Sequence, residues 1–234
     1  MKAKKQDQAA LLRRQPGSSR PRERLSGSIP DAGPPPALDE AALRAKIDPN
    51  RISYKMLNSE ITHGSGIMMK ALRVALPLVS RERGALVSQA RILTDPNAIL
   101  EFLADNPDMM VAHTLLERAW ACEETMVMPL GALLTSRPED HVAEFACLFF
   151  ARAKADYTPH LLQIAPRVRD VYTLGVLCLA LGACDRMGLG LRFVWNVYRH
   201  LNQLYGSPLD QGPLFGLLGY AERRGTVPIS PKGG

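Results

Sequence analysis

The chain has 234 residues, 46% apolar and 22% charged, with a formal charge of +6. That length gives one large or two small domains a real core, and the composition excludes a disordered or fibrous chain. Only 6% is aromatic and the four cysteines show no tight pairing, so the apolar mass is aliphatic, favours helices over strands and implies no disulfide framework.

The charge is local. Of the 29 basic and 23 acidic residues, eight and two fall within residues 1–26, which leaves 21 of each in the rest. The pI therefore describes a tail, in which Lys4, Lys5, Arg13, Arg14, Arg22 and Arg24 are the candidate electrostatic contacts. Such a tail can meet phosphate, an acidic partner or an anionic membrane, or act only as a solvated leader. No apolar stretch follows Met1, which excludes a Sec signal peptide. A mitochondrial presequence or a bacterial secretion leader stays open, although Pro16-Gly17 limits any amphipathic helix. The longest uncharged apolar run, Val171 to Cys184, is short of the roughly 20 residues needed to cross a bilayer. It reads as a buried helix, and the reduced thiols point to an intracellular, cytoplasmic setting.

Residues 1–37 are expected to be a disordered basic tail and a Pro/Gly linker, with Pro34-Pro35-Pro36 extended. Order is expected from Leu38, a helical domain over 38–225 and a frayed end over 226–234. Alternating strand patterns and Asn-Gly or Asp-Gly hairpin signals are absent, whereas Asp95-Pro96, Asp108 and Thr158-Pro159 punctuate helices. The pattern predicts helices over 39–47, 52–61, 66–79, 82–93, 97–105, 108–122, 125–135, 139–155, 159–165, 168–183, 188–205 and 210–223. The fold class is all-α: stacked antiparallel helical hairpins, either α-solenoid-like or a compact helical domain.

Two segments align at a shift of 31 residues, Pro107 on Pro138, Asp108 on Glu139 and Val111-Ala112 on Val142-Ala143. A third unit holds Thr158-Pro159-His-Leu161-Leu162, then Val168-Arg169-Asp170, then Leu174-Gly175 and Leu181-Gly182. This unit resembles a HEAT-type helical repeat in its order of proline, paired leucines, Val-Arg and Leu-Gly. Tyr172 and Thr173 depart from it by standing where small residues are expected, and the other units lack the Val-Arg pair. The resemblance covers roughly residues 97–184 and implies stacked helix pairs with protein-binding, or occasionally nucleic-acid-binding, surfaces. Each hairpin alone would leave one apolar flank in water, so neighbours must stack, with 171–184 as the central layer.

The histidines (63, 113, 141, 160, 200) and cysteines (122, 147, 178, 184) lack zinc spacing, and no metal or cofactor is expected. Cys147 and Cys178 read as core. Thr62-His63-Gly64-Ser65-Gly66 followed by Lys70 is a candidate anion contact through Ser65, Gly66 and Lys70, or a capped helix start. It matches neither a P-loop nor a nucleophile elbow. A pocket around His63, Ser65 and Lys70 would support an enzyme, the weakest reading.

Candidate partner-binding residues are Met109 and Met110, as adaptable methionines. Arg192, Trp195 and Arg199, in a stripe with Tyr198 and Tyr205, join them as interface anchors. Trp195 equally suits the core. The leading expectation is a non-enzymatic interaction module that binds another protein, with nucleic-acid association through the tail as the rival. Removing residues 1–26 should then abolish nucleic-acid retention and spare protein binding.

Overall fold

The computed structural model describes residues 23–49, 52–63, 81–136, 138–205 and 211–226. Among these residues are eleven α-helices and no strand. They are α1 (Glu40–Arg44), α2 (Ile52–His63), α3 (Arg81–Ile92), α4 (Pro96–Asp105), α5 (Met109–Ala121) and α6 (Glu123–Thr135). Then follow α7 (Asp140–Ala151), α8 (Thr158–Ile164), α9 (Val171–Cys184), α10 (Leu191–Tyr205) and α11 (Gln211–Thr226). The helix expected over 66–79 lies outside the described residues, as do tail residues 1–22 and residues 227–234.

The chain divides into two units, Met1–Arg22 with Ser65–Pro129, and Glu23–Gly64 with Leu130–Gly234. In the first, α5 packs against α3 and α4. The aspartates do what their positions predict. Asp95 Oδ2 accepts from Ala98 N at 2.8 Å ahead of Pro96, and Asp108 Oδ1 accepts from Met110 N at 2.8 Å. Val111, Leu115, Leu116 and Ala119, the predicted apolar face of α5, are all buried, as are Ile99 and Leu103 of the adjoining α4. Arg83 of α3 pairs with Asp108 at 2.6 Å.

In the second unit α9 is the central layer, buried all round and packed against α7 and α11. Its contact with α11 is made by missing side chains. A Cβ on Gly212 would lie 2.6 Å from Gly175 Cα, and one on Gly219 2.6 Å from Gly182 O. The backbones thus touch where a β-carbon would hold them apart, which brings Leu174, Leu177 and Leu181 into the core with Leu214, Leu217 and Leu218. Each such leucine contributes about 1.5–3 kcal/mol by leaving water.

Tyr172 and Thr173, the departures from the HEAT pattern, both have partners. Tyr172 Oη donates to Glu144 Oε1 of α7 at 2.6 Å, and the Thr173 hydroxyl donates to the buried cap Asp170 Oδ2 at 2.7 Å. Thr158, expected to cap α8 as Asp95 caps α4, does not. It is the first helical residue, fully buried, with its hydroxyl against Cys184 Sγ at 3.8 Å, and Asp156 Oδ1 accepts its N–H instead.

Helix α9 starts at Val171 rather than 168, because the backbone before it pairs with an earlier segment. Leu25 N donates to Arg169 O and Val171 N to Glu23 O, each at 3.0 Å, around an isolated antiparallel bridge between Arg24 and Asp170. The stretch expected as a linker therefore has no helix or strand, yet from Glu23 onward it is seated on the second unit. Leu25, 6% exposed, is its apolar anchor.

Candidate interaction surface

The loop from α9 to α10 is built on Asp185. This buried carboxylate accepts from Met187 N at 3.1 Å, Gly188 N at 2.9 Å and Gly190 N at 2.7 Å, and from Tyr220 Oη of α11 at 2.7 Å. Gly188 supplies the positive φ of 75° that the turn needs. Burial, then the hydrogen bond to Asp185, raises the Tyr220 phenol far above its ordinary pKa. On this fixed backbone Met187 and Leu189 stand 77% and 59% exposed, an arrangement that rigid scaffolds use to offer apolar contacts.

Helix α10 follows with two faces. Leu191, Val194, Val197, Tyr198 and Leu201 are buried. The helical period puts Arg192, Asn196, Arg199 and Gln203 along the opposite ridge. Arg192 is not a free anchor: its guanidinium grips both carboxylate oxygens of Asp31, from the seated segment, and Asn196 joins them. Hydrogen bonds from Arg192 and from Gly33 N hold the Asp31 carboxyl below its ordinary pKa. Arg199 is exposed and lies over the Trp195 ring at 5.7 Å, while Trp195 is half-buried with Tyr198 beside it at 5.8 Å. Trp195 is thus only partly withdrawn from the surface.

The remaining expected residues separate. Met110 is 3% exposed and belongs to the core of its own unit, a correction that follows from its place on the apolar face of α5; Met109 is half-buried. Ser65, Gly66 and Lys70 lie outside the described residues, as do Lys4, Lys5, Arg13, Arg14 and Arg22, and nothing is described of the His63 side chain. Arg24 is exposed beside its bridge to Asp170.

Among the described residues no three His, Cys, Asp or Glu side chains converge as a metal site, and no helix is long and apolar enough to cross a membrane. Cys147 and Cys178 are buried, as expected, and burial raises both thiols well above the usual range; burial also pushes Cys184 up to about 11. Such thiols are poor nucleophiles near neutral pH. The Asp185 loop is what sequence reasoning missed. Its signal was the acid ending an apolar run just before Gly188-Leu189-Gly190. Comparison with known protein families, with curated proteins and with solved structures finds no match.

Proposed function

We propose that the chain is a non-enzymatic protein-interaction module, a helical-repeat adaptor or accessory subunit of HEAT-like organisation. The observation that carries this reading is the exposure of Met187 and Leu189 on a loop whose backbone Asp185 immobilises. Two apolar side chains held in water cost hydration without serving the core, whereas a preorganised apolar contact lowers the entropy lost on binding a partner. Trp195 and Arg199 beside it are the residue types that anchor interfaces.

Nucleic-acid association through the basic tail is the second reading. The test separates the two. Protein and nucleic-acid recovery are compared for the full chain, a chain without residues 1–22, and a Met187→Glu/Leu189→Glu variant. The cut falls at Arg22 rather than at Ser26, since Leu25 is buried against the second unit. The interaction reading expects specific proteins to survive the cut and to be lost from the loop variant. Nucleic acid lost with the tail, and no protein sensitive to the loop, would establish the rival.

A further inference from the structure

Arg192 and Asn196, one turn apart on α10, show what the outward ridge of this helix holds. Arg192 Nε donates to Asp31 Oδ1 at 3.2 Å and its Nη2 to Oδ2; Asn196 Nδ2 donates to Oδ1 at 3.3 Å, and Asn196 Oδ1 accepts Ala32 N at 3.1 Å. A guanidinium and an amide at i, i+4 thus clasp one carboxylate and the peptide N–H that follows it.

The same pair recurs seven residues on. Arg199 and Gln203 have that spacing, stand on the same ridge by helical period and are both exposed. Among the described residues no carboxylate pairs with Arg199, whose contact is the stack on Trp195. The acids that the seated segment brings to α10 are engaged elsewhere, Asp31 by Arg192 and Glu23 by the Tyr205 hydroxyl. Residues 186–209 contain no Asp or Glu while carrying Arg186, Arg192 and Arg199, and the seated segment has no acid between Glu23 and Asp31. Arg44 of this unit, by contrast, is matched by Glu40 at 2.8 Å and Glu222 at 2.5 Å.

Resting on the interaction reading above, we propose that the α10 ridge docks an acidic peptide segment of a protein partner. Arg199 and Gln203 take its carboxylate as Arg192 and Asn196 take Asp31. The planar guanidinium fork matches a carboxylate in a way an ammonium does not. Leu204, 54% exposed, supplies apolar ground beside the second clasp.

The test titrates the full chain against a fluorescent Glu/Leu-rich peptide by anisotropy. Parallel titrations use an oligonucleotide of equal charge and vesicles of anionic lipid. Arg199→Glu should weaken peptide binding at least ~10-fold, because it removes one charge-assisted hydrogen bond and introduces a repulsion. Gln203→Ala should weaken it about 3-fold by removing a neutral one. Replacing Lys4, Lys5, Arg13, Arg14 and Arg22 by glutamine should change it by less than ~2-fold, since screened tail charges give no fixed clasp. Both ridge positions are exposed, and circular dichroism checks that the variants fold. Peptide binding that follows the tail and ignores Arg199 overturns the proposal, as does no binding at all. Tighter, Arg199-dependent binding of the oligonucleotide or vesicles also overturns it, by assigning the ridge to another class of ligand. If the peptide fails while the Met187/Leu189 variant still loses specific proteins, the ridge proposal falls and the interaction reading stands.

Discussion

Gly182 of α9 and Gly216 of α11 set the separation of the two central helices of the second unit: a Cβ on Gly182 would lie 2.6 Å from Gly216 Cα and strike its carbonyl oxygen. Neither obstacle is a flexible side chain, so the backbones themselves must part to admit a methyl group. Gly182→Ala and Gly216→Ala should each destabilise the protein by about 2 kcal/mol, overpacking exceeding the gain of up to roughly 1 kcal/mol in helix propensity. Gly84→Ala on α3, where nothing lies within 4 Å of the added carbon, should instead be neutral or stabilise by about 0.5–1 kcal/mol. Urea unfolding midpoints decide the signs.

Asp185 links three loop amides to Tyr220. Removing its carboxylate strands buried donors, at a cost of about 3 kcal/mol or more for Asp185→Ala. Tyr220→Phe removes one of the bonds and should cost about 1–2 kcal/mol. Hydrogen exchange at Met187, Gly188 and Gly190 should accelerate in Asp185→Ala. Unchanged exchange would show that the loop holds its shape without the carboxylate.

Stability should fall on the alkaline side. Burial keeps Cys147, Cys178 and Cys184 as thiols and Tyr54, Tyr172 and Tyr220 as phenols, with folded pKa values above their ordinary 9.0 and 10.0. The unfolded chain loses these protons first, so the stabilisation is whole below pH 9 and shrinks as pH rises beyond it. For Cys184 alone the window runs from 9.0 to about 11. Unfolding midpoints between pH 8 and pH 11 should show the decline, and Cys184→Ala should make it shallower.

The segment from Glu23 is held by Leu25 more than by Asp31. Leu25 is buried, whereas Asp31 and Arg192 have side chains 54% and 61% exposed. Leu25→Ala should loosen the segment by about 2 kcal/mol and Asp31→Ala by much less, because its ion pair is solvent-exposed and screened. Exchange of the Leu25 and Val171 amides, both bonded across the bridge, measures the difference.

Helix positions were legible because caps and apolar spacing are local: Asp95 and Asp108 each accept the N–H groups their places in the sequence imply, whereas Asp170, inside the helix expected over 168–183, turned out to be its cap. The run from Val171 to Cys184 announced its own burial. Residues 26–37 hold no helix or strand, as their Pro and Gly imply; the seat of the segment had no sequence signal, because the anchor Leu25 is a single residue. Gly182 against Gly216 is a relation between distant segments, so neither glycine alone reveals it. Among the site residues, Arg199 and Trp195 could be named from type and spacing. The engagement of Arg192 by Asp31 depends on the path of a segment some 160 residues earlier and has no local signal.

If the protein is an interaction module, the fixed loop and α10 face its partner. A photo-crosslinking amino acid at Leu189 of the full chain, irradiated in cells, reports what meets this surface. A discrete protein adduct is expected, and it should disappear when Asp185→Ala releases the loop. Adducts to nucleic acid alone, or a protein adduct indifferent to Asp185, would refute the interaction reading.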